Sequence, residues 1–99
     1  MTDKLLGALG LARKAGKLRV GFDAVCDSAA QGEVVLVLLA RDLSPKTAKR
    51  VHTRCVSPCE VMAIHLTQQD IAAIAGKPAG VLGLADTGLA ALCKKQLAE

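Results

Sequence analysis

A chain of 99 residues suits one domain with one hydrophobic core, and a chain of that length buries roughly two-thirds of its unfolded surface. Hydrophobic residues make up 52% of it but aromatics only 1%, Phe22 standing alone, so Leu, Val, Ile and Ala have to fill the core by close packing between helices and a sheet. Thirteen Lys and Arg against nine Asp and Glu leave a net charge of +4 and a pI near 9.1, which suits an anionic partner such as nucleic acid; the longest charge-free apolar run, Val34 to Ala40, is far short of the ~20 residues of a membrane-spanning helix.

The opening segment reads as a helix capped by Thr2 or Asp3, with Leu5, Leu6, Leu9 and Ala12 on its apolar stripe, Arg13 and Lys14 in the last turn and Gly16 as the stop. A short extended stretch, Leu18 to Val20, leads to a turn at Gly21 and a second helix from about Phe22 to Gln31, whose inner side carries Phe22, Val25, Cys26, Ala29 and Ala30. The run from Val34 to Ala40 is continuously apolar and rich in β-branched residues, as in a central strand covered on both faces. Ser44 followed by Pro45 starts a third helix, because the hydroxyl caps free N–H groups and proline has no N–H to lose. That helix is expected to reach about Arg54, with Lys46, Lys49, Arg50 and Arg54 on a solvated face and Ala48, Val51, His52 and Cys55 on the core face.

Glu60 to Leu66 alternates like a strand, and Thr67 with Asp70 has the spacing of a capping box that opens a short helix ended by Gly76. Gly80 to Ala85 is the last strand. Asp86 caps a final helix with Leu89, Leu92, Cys93 and Leu97 on its buried stripe. Helices alternating with strands over residues 1–99, without a repeat or linker, predict a single three-layer α/β/α sandwich around about four strands.

Several motifs invite a catalytic reading. Asp86-Thr87-Gly88 matches the triplet of retropepsin-like proteases, but those are nearly all-β with the aspartate early in the chain, whereas here it opens a C-terminal helix. His52, Cys55, Cys59 and His65 are zinc-ligand types, yet the spacing lacks a second cysteine pair and His52 and Cys55 fall on a predicted core face. No oxyanion-hole motif accompanies any cysteine and histidine. Gly7 and Gly10 lie inside a helical pattern with no lysine and hydroxyl pair following, so they are not a phosphate loop. The expectation is a non-enzyme with no metal, cofactor or small-molecule substrate. Its N-terminus lacks a basic start followed by a long apolar stretch, so a cytoplasmic setting is expected, with all four cysteines as thiols.

What remains is Arg13, Lys14, Lys17 and Arg19, clustered around a helix stop and just before the helix that begins after Gly21. A helix N-terminus offers free N–H groups and partial positive charge, so flanking cations make a phosphate site there.

Taken in order, LLGALGLARKAGKLRVGFDAV, VVLVLLARDLSPKTAKRV and IAAIAGKPAGVLGLADTGLA resemble, over nearly the whole chain, the bacterial YlxQ and YbxF type of the kink-turn RNA-binding ribosomal-protein superfamily, relatives of an archaeal large-subunit ribosomal protein. The resemblance implies an α/β/α sandwich that binds the kink-turn, a sharply bent RNA internal loop stacked on tandem sheared G·A pairs, with the ribosome as a further setting. It also implies that Gly21, Phe22, Asp23 and Ala24 enter the widened major groove, that Lys17 and Arg19 contact phosphates, and that Arg41 with Asp42 and Lys77, Pro78 and Ala79 flank the groove. Bent RNA crowds its phosphates, and cations relieve the repulsion. The sequence departs from the family at Ala24, which offers no hydrogen bond to a guanine edge, and at Asp27, which repels phosphate if it faces the groove. The competing expectation is a same-fold scaffold with a decayed RNA surface that acts in protein–protein interaction. Phe22 is expected in the core rather than stacked on a base.

Overall fold

The computed structural model describes residues 3–55 and 59–98, which form α1 (Lys4–Lys14), β1 (Leu18–Val20), α2 (Phe22–Ala30), β2 (Leu36–Leu39), α3 (Pro45–Arg54), β3 (Glu60–Ala63), α4 (Gln68–Ala75), β4 (Val81–Leu84) and α5 (Thr87–Ala98). Local side-chain chemistry sets most of the helix starts. The Asp3 carboxylate accepts from the N–H groups of Leu5 (2.8 Å) and Leu6 (3.3 Å); Thr2, the other candidate cap, lies outside the described residues. The Ser44 hydroxyl accepts from Thr47 N (3.2 Å) with Pro45 in the first turn, and Thr67 and Asp70 exchange the two bonds of a capping box at 3.1 and 3.0 Å. Asp86 of the protease-like triplet accepts from Gly88 N (2.7 Å) and Leu89 N (3.4 Å), which is helix capping.

The four strands are ordered β1-β4-β2-β3, with β4 antiparallel to both of its neighbours and β3 parallel to β2. The two inner strands, β4 and β2, are buried at every residue, and side-chain alternation divides them between two cores. Leu36, Leu38, Leu82 and Leu84 meet Leu5 and Leu9 of α1, Ile71 of α4 and Cys93 of α5. Val37, Leu39 and Val81 meet Val25 and Cys26 of α2, Val51 of α3 and Cys55. Each fully buried Leu contributes roughly 2 kcal/mol, so these layers carry the sandwich. Gly83 lets α2 lie close: a Cβ there would stand 3.1 Å from both Val34 methyls and 3.2 Å from Val25 Cγ1.

The expected fold is present, with local differences. The regular strands are shorter than the apolar runs, covering Leu36–Leu39 within residues 34–40 and Glu60–Ala63 within residues 60–66, although Val35, Ala40 and Ile64 still donate backbone bonds across the sheet. Ile64 and Leu66 stay buried, but past Ile64, whose N–H still donates to Leu39 O (2.9 Å), the backbone joins a neighbouring loop through Arg41 N to Leu66 O at 2.8 Å. Contrary to expectation, His52 and Ala30 are exposed. The stripe of α3 is narrow and centred on Val51, with Cys55 one turn on, so His52, one step (100°) around from Val51, falls at the solvent edge where its imidazole keeps its hydration. In α2 the stripe ends at half-buried Ala29.

Candidate nucleic-acid interface

Strand direction gathers three separated segments at one end of the sheet. Because β4 is antiparallel to β1 and β2, the last residues of those strands, Val20 and Leu39, lie opposite Leu82 and Val81 at the beginning of β4. Backbone bonds then tie the adjoining segments together: Gly21 N donates to Val81 O (2.9 Å), Ala40 N to Gly80 O (2.9 Å) and Arg41 N to Leu66 O (2.8 Å). The Asp42 carboxylate accepts from Gln68 N at 2.9 Å, bridging the β2–α3 loop to the first turn of α4. The approach at Gly80 is tight enough that a Cβ there would stand 2.5 Å from Leu43 Cδ1. Gly21 to Ala24, Arg41 with Asp42, and the loop carrying Lys77, Pro78 and Ala79 thus share one rim.

Within that rim Gly21 has φ +99° and ψ 153°, a conformation that strains residues with a Cβ. It caps α2 with no side-chain hydrogen bond, so the first-turn N–H groups remain available to solvent or an anion. Asp23 and Ala24 are exposed beside them, as are Arg41, Lys77 and Pro78. Ala79 is buried and offers only its backbone. Asp42 is committed to Gln68. The Asp70 carboxyl is held below its ordinary value, first by the backbone and side-chain hydrogen bonds of Thr67 and to a smaller extent by the Arg41 charge.

Lys14, Lys17 and Arg19 are placed differently from the segments their sequence neighbourhood suggests. Lys17 O accepts from Ala85 N (2.8 Å) at the far end of β4, and Lys17 N closes the end of α1 on Ala12 O (2.9 Å). The three residues of β1 are extended, which puts roughly 7 Å between the two ends of the strand. Lys14 and Lys17 are exposed at the lower end. The Arg19 guanidinium folds back to donate to Gly16 O (3.0 Å) and approaches Glu33 at 3.7 Å, while Arg13 donates to Ile74 O (2.7 Å) at the C-terminus of α4. Adjacency in sequence does not survive an intervening strand.

Another arrangement escaped the sequence reading. Arg50 and Arg54 are exposed, as expected for their face, but their Cζ atoms lie 4.9 and 5.5 Å from the centroid of the Phe22 ring. The i, i+4 spacing of the two arginines was visible; their meeting with Phe22 across a helix pair was not. Phe22 is half-buried against the α2/α3 core, so its position joins core packing to a cation–π contact.

Among the described residues no cysteine is paired with a base that would activate it. Burial pushes the Cys55 thiol up to about 12 and Cys93 up to about 11, and it also raises Cys59; raised thiols stay protonated and slow to react. Cys55 Sγ lies 3.9 Å from Cys26 Sγ, and His65 pairs with Asp3 at 2.7 Å. Among the described residues no group of three or more His, Cys, Asp or Glu is arranged to hold a metal.

Comparison with known proteins agrees with this architecture. Residues 3–96 match the ribosomal protein L7Ae/L30e/S12e/Gadd45 family. The chain is 32% identical over 94 residues to a protein of Enterococcus faecium named RNA-binding protein YlxQ, covering 94% of this chain and 90% of that one. A structure of a protein of unknown function from Bacillus halodurans superimposes with a TM-score of 0.88 at 29% identity, over 99% of this chain and 100% of the other. The 15.5kD RNA binding protein of Giardia lamblia has the same fold at 14% identity, with a TM-score of 0.77 over 96% of this chain and 82% of that one. The chain therefore belongs to the ribosomal protein L7Ae/L30e/S12e/Gadd45 family, which points to a non-catalytic protein.

Proposed function

We propose that the chain binds structured RNA, and that its target is a kink-turn or a similarly bent internal loop, in a ribosomal or other ribonucleoprotein setting in the cytoplasm. The observation that carries this reading is the convergence of Gly21, Arg41 and Lys77 segments on one rim, with the uncapped N–H groups of α2 at its centre. A bent RNA brings two helical arms and their phosphates to one place, and a rim with a helix N-terminus and flanking cations is complementary to that. The name of the Enterococcus faecium relative, RNA-binding protein YlxQ, supports the same reading. In it Gly21, Phe22, Asp23 and Ala24 line the groove, with Phe22 holding its neighbours rather than stacking on a base. Arg41, Lys77 and Pro78 flank the groove by side chain and Ala79 by backbone; Asp42 positions the loop. Lys14 and Lys17 serve an outlying arm of the RNA, while Arg19, held by Gly16 O and Glu33, braces the turn beside them.

The test is a gel-shift titration with a kink-turn duplex and with the same duplex lacking its G·A pairs. Tighter, salt-sensitive binding to the first is expected, and equal binding to both overturns the reading. Ala24, with no polar side chain, and the exposed carboxylate of Asp27 favour a second reading, a scaffold for protein interaction. Recovery of the chain from cells with a constant protein partner and no RNA would select it.

A further inference from the structure

Helix α3 carries Lys46, Lys49, Arg50 and Arg54 and no acidic residue. Lys46, Arg50 and Arg54 follow one another at i, i+4 and i+8, so they form a row on one face with ~6 Å steps. Two members of that row are pinned. Arg50 and Arg54 lie over Phe22, and Phe22 is the first residue of α2, immediately after the uncapped Gly21. A guanidinium resting on an aromatic ring loses freedom yet keeps N–H edges free for oxygen acceptors, a geometry suited to phosphate. A shallow depression beside the row is lined by Lys49, Arg50, Thr53 and Arg54, whose aliphatic stems form most of its surface beneath the charged heads. Among the described residues one carboxylate forms an ion pair with the row: Asp27 stands 3.5 Å from Arg54, with 69% of its side chain exposed.

The geometry points to this row as a second RNA contact, a track for the phosphates of a helical arm that leaves the bend, continuous with the α2 N-terminus through Phe22. The inference rests on the RNA-binding reading but concerns a different surface from the Gly21 rim. Its chemistry is sequence-independent, because the guanidiniums held on the ring reach phosphates and not base edges. With two guanidiniums over it, Phe22 is occupied and orders the cations instead of stacking on a base. Asp27 acts as an internal competitor for Arg54, so it tempers RNA affinity from beside the track rather than by repelling phosphate in the groove.

The experiment measures binding of the full chain across a salt series to two probes, a kink-turn RNA with long arms and a plain RNA duplex. Variants are Arg50→Gln with Arg54→Gln, which keep the apolar stems, Phe22→Leu, Asp27→Asn and, as a control on α5, Lys95→Ala. Each lost phosphate contact flattens the plot of log affinity against log salt by about 0.9, so the double variant is expected to lose about 1.8 of slope on both probes while keeping its preference for the kink-turn. Phe22→Leu is expected to weaken binding several-fold with the slope kept, Asp27→Asn to tighten it, and Lys95→Ala to leave it unchanged. An unchanged slope in the correctly folded double variant overturns the inference, as does a loss equally produced by Lys95→Ala. If the wild type prefers neither probe but its duplex binding still depends on Arg50 and Arg54, the kink-turn reading fails and the track stands; if the wild type binds neither RNA, both fail.

Discussion

The two ends of β1 are both rich in positive charge, but they use it differently. At the lower end the guanidinium of Arg13 is committed to Ile74 O and that of Arg19 to Gly16 O and Glu33; these cations hold helix ends and a turn together, leaving Lys14 and Lys17 exposed. At the upper end backbone bonds fix the segments at Gly21, Ala40 to Arg41 and Gly80, so the exposed Arg41 stands on a braced rim. The lesson is that a count of cations near a turn does not define a binding site. What matters is whether the scaffold has already used them.

The largest expected effect comes from Gly21→Val. A β-branched residue at φ +99° is strained by about 1–3 kcal/mol, so thermal unfolding should shift down and RNA binding should be abolished or nearly so; a variant that binds like the wild type would break the case for the upper rim. Next is Gly80→Ala, whose Cβ would stand 2.5 Å from Leu43 Cδ1. Leu43 can swing aside at a cost of about 1 kcal/mol, moving the Arg41 loop, so RNA affinity should fall by more than stability does. Arg13→Met should do the reverse. It removes the bond to Ile74 O, costing about 1 kcal/mol in denaturant unfolding, with RNA affinity unchanged if Arg13 is purely structural. Lys17→Ala should have the smallest effect, a salt slope flatter by less than one unit with folding intact. A loss as large as that of Gly21→Val would move the interface to the lower end.

A pH titration checks the bracing itself. Asp3 caps α1 and accepts a hydrogen bond from His65, the main reason its carboxyl lies below the ordinary 3.8. A carboxyl that is more acidic when folded stabilises the protein above the unfolded value, and that contribution is lost as pH falls from about 3.8 through the lowered value. Acid unfolding followed by circular dichroism should therefore begin at higher pH in a His65→Ala variant. An identical acid transition would show that the 2.7 Å contact does not stabilise the fold.

Much of the fold was legible because its signals act over a few residues. Ser44 with Thr47, Thr67 with Asp70, and Asp86 with Gly88 and Leu89 are bonds between neighbours in the chain, so helix starts could be placed from residue type alone. The apolar runs likewise announced the two inner strands. The candidate rim was legible only through resemblance to a family. Position 52 was misplaced because a stripe three or four residues wide does not state where its edge falls, and burial of an imidazole depends on what lies opposite. Phe22 was read correctly as packed against the core, yet the arginines over it come from another helix.

The sequence by itself determined the alternation of helices and strands, their capped starts, a core of small aliphatic side chains and an excess of positive charge. Tertiary structure alone decided the strand order β1-β4-β2-β3, and with it which loops meet. That order brings Gly21 to Val81 and Ala40 to Gly80 and sends Lys17 to the opposite end of the sheet. Capping bonds join residues two to four apart and are written in local chemistry, whereas pairing between strands tens of residues apart is settled only when both cores close on the two faces of the sheet.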